Sequence, residues 1–339
     1  MIAIGIDPGT VSIDICGLAD GAPLLDRSFP TADALASPEA FLAELTRHGT
    51  PDLIAGPSGY GLPLRHARDL TDEDLTLAFL AAPGEAGGIG GLRRLARVLA
   101  GSGLPLVFTP GVIHLPTVPA YRKLNRVDLG TADKVAAAVL AVAELSVGRA
   151  EGDAPSFVLL ELGGAFTAAV AVEGGTIVDG VGGSSGPPGW RAAGAWDGEV
   201  AFLAGGVTKA MLFGGGRESL PGAPGLEAYV EGAVKAALAL LASAPSAEAF
   251  VLSGRHAADP DVHLMLERKL GLIAPVRTLV GFGTEAKVGA QGGAVLADGL
   301  LGGRYRAVVD RLRVREARGT ALDHLTVISP ATARARLGL

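Results

Sequence analysis

Ile4-Gly5-Ile6-Asp7-Pro8-Gly9-Thr10 is an apolar run that ends in an acid and a proline–glycine turn. Residues 11–18 follow with strand character, and Asp20-Gly21 turns the chain again. The opening therefore reads as consecutive antiparallel strands. The same order returns later: an apolar run over 157–162 containing Glu161, a Gly163-Gly164 turn, a strand over 167–172, a Gly174-Gly175 turn and a strand over 176–178. Laying the chain on itself 154 residues apart, Asp7 on Glu161, carries Gly9 onto Gly163 and Asp20-Gly21 onto Gly174-Gly175 without a gap. Any two β-hairpins share some of this pattern, but the acid, glycine and turn spacing recur together. A repeat this long is not a solenoid unit. It predicts two related domains facing each other.

These residue types suit a magnesium-bound triphosphate. Mg²⁺ keeps several waters and is held through one or two carboxylates plus phosphate oxygens. Glycine turns let backbone approach phosphates where a Cβ would interfere. Asp7 and Glu161 are the candidate metal acids, and Gly9, Thr10, Gly163 and Gly164 the candidate phosphate contacts.

Between and after the two copies, 91–100 and 226–244 have helical spacing, as do 131–147 and 285–300. Thr131 reads as an N-cap and Gly148 as a stop. Strands are expected over 53–55, 106–108, 250–252 and 276–280. Gly289, Gly292 and Gly293 read as positions for close helix packing rather than chemistry. The tail beyond Gly302 is richer in arginine, with no role evident from its pattern.

At this point the pattern resembles the superfamily of acetate and sugar kinases, actin and the heat-shock chaperones, known as ASKHA. Residues 4–10 look like its first phosphate motif and 159–164 like its second, with Glu161 where Asp is usual. Phe250-Val251-Leu252-Ser253-Gly254-Arg255 is similar to the adenosine motif, with the usual glycine pair reduced to Gly254. The resemblance implies an α/β fold of two ribonuclease-H-like (actin-like ATPase) domains with an interdomain nucleotide cleft. It divides the chain into an acceptor-side lobe (1–148), a nucleotide-side lobe (149–302) and a C-terminal extension (303–339). The 131 and 285 helices fall where the two connecting helices belong. ATP and Mg²⁺ are the implied cofactors, with Ser253, Gly254 and Arg255 on the adenosine.

Three further stretches, 56–63, 114–119 and 128–134, look like a family labelled predicted butyrate kinase. That resemblance implies phosphoryl transfer to a short-chain carboxylic acid. Asp133 also sits in a stretch similar to the Gly-Ala-Asp-Arg of type III pantothenate kinases, with Lys134 replacing the arginine. By that likeness Asp133 would be the base for a hydroxyl acceptor. It reads equally well as an acid stabilising a helix N-terminus. A carboxylate acceptor needs no base, so the role of Asp133 depends on the substrate. Arg122 and Arg126 are candidate substrate cations, while Lys123 reads as a solvated neighbour. Ser58 and Tyr60 could line the acceptor pocket, and Ser184-Ser185 could belong to a lid. The rival function is an ATPase switch acting on a partner protein. The variant that holds an iron–sulfur cluster is disfavoured by a single cysteine, Cys16.

Composition sets the remaining bounds. The 339 residues are 49% hydrophobic and 19% charged, enough for two cores. Aromatics are 5% against 50 glycines, so the cores must be built from small and aliphatic residues. A net charge of −6 with no basic stripe argues against nucleic acid. Mean hydropathy is +0.39, yet no apolar run reaches the roughly 20 residues of a spanning helix. A small-molecule substrate, no nucleic acid, no membrane and a cytoplasmic setting are expected. A homodimer is compatible with this reading.

Overall fold

The computed structural model describes residues 1–9, 11–56, 59–81, 88–150 and 152–339. The chain forms two compact units that interleave along the sequence. The first comprises Met1–Val127, Thr131–Glu144 and Gly281–Leu339; the second comprises Asp128–Gly130 and Leu145–Val280. Residues 281–302, grouped with the second half in the linear reading, thus pack in the first unit. The reason is the helix Val288–Leu300, whose residues 289–299 are all buried. A helix buried all round belongs inside a core.

The first unit contains β1 (Ile2–Pro8), β2 (Ser12–Ala19), β3 (Ala22–Pro30), β4 (Leu53–Gly56), β5 (Arg65–His66) and β6 (Leu106–Phe108), ordered β3-β2-β1-β4-β6-β5. Strands β1, β2 and β3 pair antiparallel, and β4 and β6 continue from β1 in parallel. Helix Val288–Leu300 crosses β1 at backbone contact. A Cβ on Gly5 would lie 2.1 Å from the Ala290 carbonyl oxygen, and one on Gly292 would lie 1.9 Å from that of Ala136 in helix Ala132–Leu145. Gly5 and Gly292 are therefore obligatory, and the packing role expected of Gly292 is what the structure shows.

The second unit contains β7 (Phe157–Leu162), β8 (Thr167–Glu173), β9 (Thr176–Val181), β10 (Phe250–Ser253) and β11 (Val276–Thr278), ordered β11-β10-β7-β8-β9. Pairing repeats that of the first unit: β7, β8 and β9 antiparallel, then β10 and β11 parallel from β7. The duplication holds at single-residue detail. The turn Asp20-Gly21 has φ of 48° and 76°, and Gly174-Gly175 has 55° and 72°. Both are two-residue turns of the type that matches strand twist. The strand register slips between Gly17 and Leu18 in one copy and between Ala171 and Val172 in the other, at the same sequence offset. Helices Ala223–Leu241 and Pro260–Leu270 cover this sheet through Tyr229, Val230, Val262 and Leu266.

The tail is an integral part of the first unit. Leu322 and Ala333 enter its core, and the Asn125 side chain accepts from the N–H groups of Thr326 (2.7 Å) and Val327 (3.0 Å). Arg334 pairs with Glu73. Among the described residues no helix is long and apolar enough to cross a membrane.

Candidate active site

In the first unit β1 delivers Asp7 opposite Asp14 on β2. The Gly9 N–H donates to the Ser12 carbonyl at 2.8 Å, and Thr31 Oγ1 donates to the Gly9 carbonyl at 2.7 Å. Gly9 therefore contributes space, its own N–H being committed to the turn. That space is used: a Cβ there would lie 2.8 Å from Lys287 Nζ. Lys287 is the N-cap of helix Val288–Leu300 and pairs with Asp14 Oδ2 at 2.9 Å. Two residues on, a Cβ at Gly289 would lie 2.6 Å from Asp7 Oδ2 and 3.3 Å from Asp133 Cβ. Bare glycine thus lets the Asp7 and Asp133 side chains approach the same point of the helix.

Three carboxylates and two ammonium groups share this neighbourhood. Burial pushes the Asp7 carboxyl up to about 6; Lys287 opposes the shift and Asp133 adds to it. No described hydrogen-bond donor meets the Asp7 carboxylate. For Asp133, burial acts upward, but Lys134 and the Thr131 hydroxyl outweigh it and hold the group below its ordinary value. Thr131 donates to Asp133 Oδ1 and Lys134 to Oδ2. Burial works against the Lys287 charge, and Asp7 and Asp14 overcome it and raise its pKa. Sequence reading missed Asp14 and Lys287. The available signal was an aspartate inside the apolar run Ile13-Asp14-Ile15-Cys16.

In the second unit Glu161 occupies the matching end of β7. The Gly163 N–H donates to the Phe166 carbonyl at 3.0 Å, the counterpart of the Gly9–Ser12 bond. Cβ atoms at Gly163 and Gly254 would lie 3.1 and 2.7 Å from the Glu161 carboxylate. Gly254 has φ of 88°, which favours glycine. A Cβ at Gly164 would touch Arg255 Cδ at 3.6 Å. The structure thus assembles Glu161, Gly163, Gly164, Gly254 and Arg255. Ser253 lies in register with Glu161 but is buried, and its hydroxyl meets no described partner. Beside Arg255, His256 stacks on Trp190 with ring centroids 3.7 Å apart, and the Arg217 guanidinium lies 4.6 Å from the Trp190 ring.

The remaining candidates fall out as follows. Thr10 and Ser58 lie outside the described residues. Tyr60 is half-buried beside Gly59, whose carbonyl accepts from the Ala132 N–H at 3.3 Å, next to Asp133. Arg122 is half-buried with its guanidinium 5.6 Å from the Tyr121 ring, and Arg126 is exposed. Lys123, expected at a solvated surface, is buried and donates to the Leu115 carbonyl at 2.9 Å. Ser184, expected in a lid, instead donates to Asp128 Oδ2 at 3.0 Å through both its N–H and its hydroxyl. Cys16 is buried, and burial first, then Asp26, pushes its thiol up to about 12, so it is not a reactive nucleophile.

Two duplicated sheets of this order, each with an acid and a glycine turn at the end of its first strand, define an α/β protein of the actin-like ATPase and acetate/sugar-kinase fold. Acetate kinase from Entamoeba histolytica shares it with a TM-score of 0.58 at 10% identity, over 80% of this chain and 87% of that one. A weaker likeness, with a TM-score of 0.42 at 20% identity, is to the ROK hexokinase from Thermus thermophilus, over 87% of this chain and 97% of that one. No curated protein matches the sequence. Within that fold, residues 5–327 match the model of the family described as protein of unknown function (DUF1464), and the chain belongs to that family.

Proposed function

We propose that this protein is an ATP-dependent phosphotransferase acting on a small metabolite, with a short-chain carboxylic acid as the acceptor. The observation that supports it best is the doubled hairpin. Each copy ends its first strand in an acid and closes the same glycine turn with the same hydrogen bond. Asp7, half-buried and unmet by any described donor, fits a magnesium ligand, and Glu161 is the second proposed acid. Gly9, Gly163 and Gly164 would leave room for phosphate, and Gly254 and Arg255 would hold the adenosine end together with the Ser253 backbone. Tyr60, Arg122 and Arg126 are proposed for the acceptor. Mg²⁺, when bound, would neutralise phosphate charge; phosphoryl transfer otherwise needs mainly positioning and electrostatic stabilisation.

The carboxylate acceptor is favoured over a hydroxyl by the state of Asp133. Both its oxygens accept hydrogen bonds within its own turn, and the group is held below the ordinary carboxylate range. A general base works best with a pKa near the operating pH. A hydroxyl acceptor would need such a base, whereas a carboxylate arrives ionised. In this reading Asp133 positions Lys134 and the acceptor. The setting proposed is the cytoplasm, in keeping with one cysteine. Incubation with γ-labelled ATP and a panel of short carboxylic acids and hydroxyl metabolites tests the reading. Label should pass to a carboxylic acid; ATP binding without transfer to any acceptor would leave the ATPase-switch alternative.

A further inference from the structure

The hairpin of the second unit serves as an internal control for that of the first. At the place of Asp14 the second copy carries Ala168, buried on β8 opposite Glu161. The hairpin architecture therefore does not need an acid there. Asp14 is nevertheless fully buried, with Oδ2 paired to Lys287 and Oδ1 meeting no described donor. Burying a carboxylate is costly unless its partners repay the lost hydration.

Anchoring the helix does not explain the pair. The segment before Val288 is already held without it. Asp26 Oδ2 accepts from the N–H groups of Thr284 (2.6 Å) and Glu285 (3.1 Å), and Oδ1 from Ala286 (2.7 Å). Gln291 closes the same segment, accepting from the Phe282 N–H (2.8 Å) and donating to the Ala286 carbonyl (2.7 Å). What Asp14 does uniquely is fix an ammonium over the Gly9 turn. Lys287 donates to Asp14 and to the Ser12 carbonyl (3.1 Å), while its side chain stays 43% exposed. An ammonium has three donors. The third can turn outward beside Asp7, where the proposed function puts magnesium and, over Gly9, phosphate.

We infer that Lys287 is the cation that reads the terminal phosphate of a nucleoside triphosphate at the Gly9 turn, with Asp14 as its positioning residue. This rests on the proposed nucleotide reading and deepens it. Lys287 distinguishes a triphosphate from a diphosphate, because only the triphosphate reaches the ammonium with an extra charged group. Asp14 keeps the long side chain from sampling other rotamers, so the contact is pre-formed.

The test is calorimetric binding, with magnesium, of ADP and of a non-hydrolysable imido-ATP, to the full chain and its variants. The wild type should prefer imido-ATP. Lys287→Met should weaken imido-ATP at least tenfold and leave ADP within twofold, with Lys287→Arg recovering part of the loss. Because Lys287→Met strands the buried Asp14 and could impair folding, the double variant Lys287→Met/Asp14→Ala, which copies the second hairpin, is the companion. It should show the same selective loss with an intact melting transition. Asp14→Ala alone should produce a smaller selective loss. Equal weakening of both nucleotides, or unchanged imido-ATP binding, in the folded double variant would overturn the inference. A wild type that binds both nucleotides without preference would overturn it too, while leaving the nucleotide site standing. A wild type that binds neither removes the nucleotide reading itself.

Discussion

The β1–β2 hairpin and the β7–β8 hairpin share turn, register slip and closing hydrogen bond, yet differ in what lies behind the acid. Behind Asp7 are Asp14, Asp133, Lys287 and Lys134. Behind Glu161, the position opposite on β8 is a buried alanine, and the Gly254 backbone closes in. Gly5, where the helix meets β1, corresponds in the second copy to Leu159, which is buried as ordinary core. The first hairpin carries an aspartate and a glycine, with a helix at backbone distance, where the second carries a buried alanine and a buried leucine. One scaffold occurs twice, and the buried aspartate–lysine pair is described in the first copy, while arginines Arg191 and Arg255 border the glycine turn of the second.

The sharpest way to break this comparison is to give the second hairpin the acid of the first. Ala168→Asp buries a second carboxylate directly opposite Glu161, and should destabilise the chain by about 3–5 kcal/mol in denaturant unfolding. If the loss is negligible, the buried environment of the two hairpins is not what separates them. Gly5→Ala should cost at least about 3 kcal/mol from overpacking, because the new Cβ meets the Ala290, Gly293 and Ala294 backbone, which cannot rotate away. Leu159→Ala in the other copy leaves a cavity instead, so the two variants should respond oppositely to a small apolar cosolvent that fills voids.

The first unit also carries a pH dependence. Burial, aided by Lys123, lowers the His114 pKa from 6.5 to about 4. The unfolded chain therefore binds this proton where the folded chain does not, so stability rises with pH between about 4 and 6.5 and is lost as pH falls through that window. The loss is on the order of 3 kcal/mol at its limit. His114→Asn should flatten that part of the stability–pH curve; an unchanged slope would assign it to other groups. Last, Asp7→Asn should lower magnesium-dependent ATP turnover at least tenfold, about 1.4 kcal/mol in the barrier. It should not lower the melting temperature, since it removes a charge that burial disfavours. Glu161→Gln is expected to give a smaller kinetic effect.

How far the sequence carried this picture depended on separation along the chain. The two hairpins were legible because acid, glycine turn and strand lie within twenty or so residues of each other in each copy, and the offset could be checked twice. Gly292 and Gly293 of the last long helix were legible as packing positions for the same local reason, whereas Gly289, read with them, lies against the Asp7 carboxylate and Asp133. The Asp14–Lys287 pair was not, because its members come together only when helix Val288–Leu300 lies on β1, and no local pattern announces that. Lys123 was misread as solvated since its charged neighbours, Arg122 and Arg126, dominate the local pattern; its side chain instead turns inward to the Leu115 carbonyl, and the tail closes over the next residues, the Asn125 N–H donating to the His324 carbonyl. Ser184 was read as part of a lid because its partner, Asp128, is far from it in sequence.

The interleaving of the two units has a consequence for synthesis. The second unit is all but one uninterrupted stretch, complete once Val280 has been made, whereas the first lacks helix Val288–Leu300 and the tail until the end. On the ribosome the later-encoded unit should thus acquire its native fold first, with the earlier one waiting, its β1 glycine uncovered, for its last helix to arrive. A stalled nascent chain ending just past Val280 should resist limited proteolysis over residues 157–278 and be cut within 1–127.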